Sequence, residues 1–246
     1  MTAPSSSRTV VVGGSSGIGR ATAELLARSG HEVLAIGRDP QRLAALAAEA
    51  AGPAYEGRLG TAAADAGDAA TLRAALESFG RFGHLVLAPS SSRGIGPIAE
   101  LDLAELRGGF DGKYWPQIVA LQQALPLLAD AGSITFITAG SSGGAYPGTA
   151  GLAAINGALD AMVPVLAVEL APRRVNAVSP GVIDTPWWDA VPPATRDALF
   201  AQFALKAPAG RIGHASDVAD AVRFLIGNTF TTGNILKLDG GARLRP

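Results

Sequence analysis

The most chemically informative stretch is Val-Gly-Gly-Ser-Ser-Gly-Ile-Gly, residues 12–19. It follows a β-branched run, Thr9 to Val12. It precedes a helical pattern with Ile18, Ala21, Leu25 and Leu26 on one face and Gly30 as the stop. A strand, a glycine turn and a helix in that order gather backbone N–H groups and the positive helix end at one point, which suits a pyrophosphate. Gly13 allows the tight turn, Gly17 the approach of a ligand, and Gly19 close packing of helix on strand; Ser15, Ser16 and Ile18 complete the loop. Other chemistries are excluded by composition. There is no cysteine, hence no disulfide, thiolate nucleophile or cysteine-bound metal. The three histidines, His31, His84 and His214, are far apart, lack ligand spacing and fall at element edges, which predicts surface positions and no metal site.

The elements that must carry this turn alternate along the chain. Strands are expected at 9–12, 32–36, 53–60, 84–88, 133–138, 174–178 and 233–238. Helices are expected at 41–51, 69–80, 100–129, 149–171 and 217–227. Asp39 followed by Pro40, and Asp68, read as helix N-caps. Alternation of this kind predicts a single-domain α/β, doubly wound parallel sheet of about seven strands with helices on both faces. Residues 186–212, with Trp187, Trp188, Phe200 and Phe203, read as an excursion that covers a substrate, and the tryptophans point to an apolar or aromatic one.

With 246 residues, 48% hydrophobic, 17% charged and a net charge of −1, the chain reads as globular, with scattered basic residues. That argues against nucleic acid and against an anionic membrane surface. Residues 1–7 read as a disordered tail rather than a signal peptide. The apolar stretch 150–171 carries Asn156, Asp160 and Glu169 and reads as a buried helix. A cytoplasmic location is the expectation.

The glycine turn resembles the T-G-x-x-x-G-I-G fingerprint of the short-chain dehydrogenase/reductase family, with Val12 in place of the leading Thr. The run R-V-N-A-V-S-P-G at 174–181 and the terminal Asp239-Gly240-Gly241 extend the resemblance over essentially the whole chain. It implies a Rossmann-type fold and a nicotinamide cofactor. Gly37-Arg38 favours NADP(H) over NAD(H), since an acidic residue there would take the ribose 2′-OH and an Arg accommodates the 2′-phosphate; Arg42 adds a second charge. Asp65 and Ala66 match the element beside the adenine. Ala88 stands where the family's N-N-A-G begins to hold the cofactor, here Leu87-Ala88-Pro89-Ser90, without the asparagines' side-chain support. Pro180, Gly181, Ile183 and Thr185 match the loop that holds the carboxamide.

The family's chemistry uses an Asn, a Ser, a Tyr and a Lys, the last two spaced Y-x-x-x-K. Leu59, Ile118 and Ala150 stand four residues after Tyr55, Tyr114 and Tyr146, so that spacing is absent. By flanking pattern the Asn maps to Lys113, the Ser to Ala139, the Tyr to Leu152 and the Lys to Asn156. A positioned general acid contributes about 10²–10⁴ in rate, or roughly 3–5 kcal/mol, so its loss weakens proton transfer without forbidding hydride transfer. Lys113 is the foremost replacement, provided it points inward rather than snorkelling to solvent or pairing with Asp111. Tyr146 is a second donor, and Ser141 or Ser142 a stand-in for the serine. Asn156 keeps a hydrogen bond to the ribose.

Three readings follow. One is an atypical oxidoreductase acting on a small apolar or aromatic carbonyl, alcohol or activated alkene. Another is a redox-inactive cofactor-binding protein, a sensor or partner subunit. The third is a non-redox isomerase or cyclase. The resemblance also implies a homodimer or homotetramer.

Overall fold

The computed structural model describes residues 7–56 and 58–244. The tail expected over residues 1–7 lies outside them apart from Ser7. Strands β1 (Arg8–Val12), β2 (Glu32–Gly37), β3 (Leu59–Ala63), β4 (Phe82–Leu87), β5 (Leu128–Ile137) and β6 (Arg174–Pro180) alternate with helices α1 (Gly17–Arg28), α2 (Pro40–Ala50), α3 (Ala69–Phe79), α4 (Leu103–Ala124) and α5 (Ala150–Glu169). Then come the short strand β7 (Ile183–Asp184), helix α6 (Pro193–Lys206), the short strand β8 (Gly213–His214), helix α7 (Ala215–Gly227) and strand β9 (Ile235–Leu238). Seven strands form one sheet in the order β3-β2-β1-β4-β5-β6-β9, and β7 pairs with β8 apart from it. Every pairing in the large sheet is parallel.

The strands read as apolar runs because both faces are covered. On one face Val10, Leu85, Ile134 and Val175 pack with Leu72 of α3, Ala120 of α4 and Leu159 of α5. On the other, Val11, Val33, Val86 and Val178 pack with Leu26 of α1, Leu46 of α2 and Val222 of α7. The strand order reverses between β1 and β4, each crossing out to opposite edges, so a crevice opens at the carboxyl ends of these two strands. Local signals set the helix starts. Asp39 accepts from the N–H groups of Gln41 and Arg42, Asp68 from Ala70 and Thr71, and Asp102 from Ala104.

Three expectations are corrected. The third strand begins at Leu59, not at 53. Gly52 and Pro53 turn the chain there, and Tyr55 is buried as a plug, its hydroxyl accepting from Arg28 at 2.8 Å, rather than as a strand residue. Strand β5 starts at Leu128, so the long helix ends at Ala124. His84 is not at the surface. It sits inside β4, 8% exposed, with Nδ1 2.8 Å from Ser133 Oγ. His31 is half-buried, and desolvation lowers its pKa. Among the described helices α5 is apolar and long enough to cross a bilayer, yet it buries Ile155, Leu159, Val163 and Leu166, together with Asn156 and Asp160, inside the fold.

Candidate active site

The carboxyl ends of the strands line one cleft of about 1480 Å³. The glycine turn forms its floor. Gly13 has φ +80°, and a Cβ there would lie 2.7 Å from the Ala88 carbonyl carbon, so β1 and β4 close only around a glycine. A Cβ on Gly19 would run into the carbonyl oxygen of Gly13. By contrast, a Cβ on Gly17 would meet Thr185 at 3.5 Å, an ordinary contact, but Gly17 has φ +52°, a conformation that favours glycine. Helix α1 begins after Ser16 with no side-chain cap, unlike α2, α3 and α4 with their aspartate caps. Its first N–H groups are therefore available to an anion.

At one end of the cleft lie Ser15, Arg38, Asp65 and Ala66. Gly37 abuts Ser15, whose Oγ would sit 2.6 Å from any Cβ at 37, so a side chain at that position would have to displace Ser15. Arg38 is exposed and has no partner among the described residues, whereas Arg42 pairs with Asp39 at 3.2 Å. Asp65 folds its carboxylate onto Gly67 N at 2.8 Å and shapes the turn. Pro180, Gly181, Ile183 and Thr185 line the same cleft, with Thr185 beside Gly17.

Lys113, Ala139, Leu152 and Asn156, the four positions to which the sequence pattern maps the expected chemistry, all line this cleft, as do Ser141 and Tyr146. Lys113 neither snorkels nor meets Asp111. It is 6% exposed, and its Nζ donates to the Thr138 carbonyl oxygen at 3.1 Å. Desolvation lowers its pKa from 10.5 to about 8, partly offset by the charge of Asp160. Asn156 is buried and donates through Nδ2 to Ser141 Oγ (3.2 Å) and Leu152 O (2.8 Å), while its Oδ1 has no partner. Ser142 is no stand-in for the missing serine, because its hydroxyl turns from the cleft to Ala139 O (3.0 Å) and Asp160 Oδ2 (2.5 Å). Asp160 Oδ2 also meets Lys237 Nζ at 3.2 Å. Tyr146 is half-buried, edge-on to Phe203 of α6 with ring centroids 6.4 Å apart. Trp187 and Trp188 stack edge-to-face at 4.7 Å, and the Trp187 indole N–H donates to Ser91 O at 3.1 Å, bridging the cleft.

A family model described as enoyl-(acyl carrier protein) reductase matches residues 12–243. The chain belongs to the short-chain dehydrogenase/reductase family. It is 34% identical to the L-fucose dehydrogenase of Rattus norvegicus, over 96% of this chain and 88% of that one. It is 32% identical to a small-chain dehydrogenase solved in complex with NADPH, with a TM-score of 0.81 over 97% and 99% of the two chains. A short-chain oxidoreductase from Pseudomonas aeruginosa PAO1, also solved with NADPH and described as containing an atypical catalytic center, is 28% identical, with a TM-score of 0.89 and 96% of each chain covered.

The residues present fit the nicotinamide cofactor of this oxidoreductase family. The uncapped α1 terminus on the cleft floor suits a pyrophosphate, and the orphaned Asn156 Oδ1 suits a ribose hydroxyl. The support the family's asparagines would give the end of β4 comes from another direction. Gln117, one turn after Lys113 on α4, donates to Pro89 O (3.0 Å) and Ile137 O (3.3 Å). Sequence reasoning passed over Gln117, Asp160 and Lys237. The available signal was spacing. Lys113 and Gln117, and Asn156 and Asp160, are polar pairs at i, i+4, which places each pair on one helix face.

Proposed function

We propose that this protein is an NADP(H)-dependent oxidoreductase that interconverts a small apolar or aromatic carbonyl and its alcohol, or reduces an activated alkene, with Lys113 in place of the family's tyrosine–lysine proton relay. The observation that carries the reading is the buried Lys113 ammonium on the cleft wall, beside the positions occupied by Ala139, Leu152 and Asn156. When bound, the nicotinamide supplies the hydride. Lys113 Nζ supplies the proton to the oxygen that gains charge, and at neutral pH it stays mostly protonated because its pKa is near 8. Ser141, positioned by Asn156, offers a second hydroxyl toward the same oxygen. The unpartnered Arg38 guanidinium supports NADP(H) over NAD(H), since it is free to meet a 2′-phosphate. Trp187, Trp188 and Phe203 give the substrate end an aromatic wall.

The exposed Trp115 on α4 and the exposed Val165 and Val168 on α5 support assembly as a homodimer or homotetramer through these helices. The reading is tested by calorimetric titration with NADPH and NADH, followed by NADPH oxidation over a panel of aryl ketones, aldehydes and enones. Tight NADPH binding and turnover lost in Lys113→Met support it. Binding without turnover on any substrate replaces it with the redox-inactive reading.

A further inference from the structure

The polar cluster behind Lys113 is not needed to hold a cofactor or to shape the substrate end, and its arrangement has a chemical consequence. Asp160 is 7% exposed and lies one helical turn beyond Asn156 on α5. Its Oδ2 receives the Ser142 hydroxyl and sits 3.2 Å from Lys237 Nζ, which reaches in from β9 with its side chain 29% exposed. Lys237 Nζ also lies 3.4 Å from Ser179 Oγ on β6. Asp160 Oδ1 has no partner. Burying one oxygen of a carboxylate unpartnered is costly unless a positive charge nearby compensates. Among the described residues the buried lysines and arginines are Lys113 and Arg174, and Arg174 is engaged by the carbonyls of Leu225 and Ile226 at 2.7 and 2.9 Å, which leaves Lys113. The two groups reach consecutive residues just beyond β5: Lys113 Nζ donates to Thr138 O, and the Ser142 hydroxyl that meets Asp160 Oδ2 lies 3.0 Å from Ala139 O.

We propose that Asp160 is a positioning residue for the proton on Lys113: one buried carboxylate shared by two ammonium groups, paired directly with Lys237 and acting on Lys113 through space. This inference rests on Lys113 as the proton donor of the proposed reaction. The balance between the pair and Lys113 then sets the pH at which Lys113 releases its proton. The charged groups around Lys113 are few. The segment after β5 presents the Thr138 carbonyl, Ser141 and Ser142, and Ser179 of β6 faces Lys237. On α4 itself Asp111 is exposed and Tyr114 turns its hydroxyl to Met162 Sδ at 3.4 Å. On α3, Arg73 binds Gln123 near the far end of α4 and Glu77 is exposed. Arg93 packs on α4 at Gly108 but is exposed and pairs with Glu105 at 2.9 Å, and Arg107 is exposed, so Asp160 with its partner Lys237 is the buried pair that bears on Lys113.

The two partners act in opposite directions. Removing the carboxylate takes away the charge that favours the Lys113 ammonium. Removing Lys237 leaves the carboxylate wholly to Lys113. The chain has three lysines, Lys113, Lys206 and Lys237, so the lysine side-chain carbons can be labelled with 13C and titrated separately by NMR in the cofactor-free, full-length protein, with Lys113→Met assigning the signal. In Asp160→Asn the Lys113 midpoint is expected to fall, by up to about one pH unit. In Asp160→Glu it returns toward the wild-type value, and in Lys237→Met it rises. With NADPH and a substrate, the alkaline limb of the reduction profile follows the same order. An unmoved midpoint in Asp160→Asn, or a shift of the same sign in Asp160→Asn and Lys237→Met, overturns the inference. Opposite shifts in a protein that reduces nothing uphold the coupling while the proposed reaction falls.

Discussion

Lys113 Nζ lies 3.1 Å from the Thr138 carbonyl oxygen, so an amine from helix α4 closes the carboxyl end of strand β5 inside the cleft. The amine is held charged in a dry place, and that has a stability cost as well as a use. A pKa depressed from 10.5 to about 8 corresponds to roughly 3 kcal/mol against folding at neutral pH. Lys113→Met is therefore expected to lose about 10²–10⁴ in the rate of reduction and to gain about 1–2 kcal/mol of stability, the freed Thr138 carbonyl taking back part of the relief. The gain reads out as a melting temperature about 2–8 °C higher at pH 7. A variant that is both slower and less stable would count against this account of Lys113.

The same depression has a sign in pH. The unfolded chain holds more protons on this group than the folded one between pH about 8 and 10.5. Its unfavourable contribution is therefore full below the folded pKa and fades as pH rises through that window. For the reaction, carbonyl reduction needs the ammonium, so kcat/KM is expected to be level below pH about 8 and to fall above it. Alcohol oxidation needs the free amine and rises over the same range. Matched profiles measured in both directions check this.

Arg38 stands exposed and unpartnered at the adenosine end, two residues beyond Ile36 of β2. A guanidinium–phosphate contact is a charge-assisted bond worth about 1.5–3 kcal/mol. Arg38→Glu is expected to weaken NADPH binding by roughly 10- to 100-fold and to leave NADH binding within a fewfold. Calorimetry with both nucleotides measures the difference.

Gly19 packs against the carbonyl of Gly13, with no space for a methyl group between them. Gly19→Ala is expected to destabilise the fold by about 1–3 kcal/mol through overpacking and to abolish cofactor binding by displacing the turn. Gly157→Ala, on α5, meets nothing within 4 Å and is the control, expected to be neutral or slightly stabilising. Thermal melts and nucleotide titration separate the two.

Trp187 holds its loop across the cleft through the bond to Ser91 O. Trp187→Phe keeps an aromatic wall but drops the donor. A net loss of about 1 kcal/mol is expected, seen as a roughly fivefold rise in KM for the carbonyl with a smaller change in kcat. Steady-state kinetics at saturating NADPH test it.

The parts of this molecule legible in the amino-acid order are those governed by neighbours along the chain. The glycine turn, the Asp39 and Asp68 caps and the alternating apolar runs are local. They concern a few N–H groups, one helix face or one strand, and they place β1, α1 and the cleft floor where they are found. Parallel pairing blurs the rest, because strands buried on both faces carry no alternation to mark their ends. That is why β3 and β5 begin elsewhere than their composition implies, and why His84, in a segment that reads as an edge, is a core residue. The direction of Lys113 belongs to the fold in three dimensions. A lysine on a helix can swing to water or turn inward. Here packing of α4 against α5 and the sheet leaves it the Thr138 carbonyl and the field of Asp160, a residue 47 positions away in the chain. Charges so far apart in sequence acquire a common environment only when α4, α5 and the carboxyl ends of β5, β6 and β9 are brought together, and it is that environment, not residue type, which lowers the pKa of the buried amine.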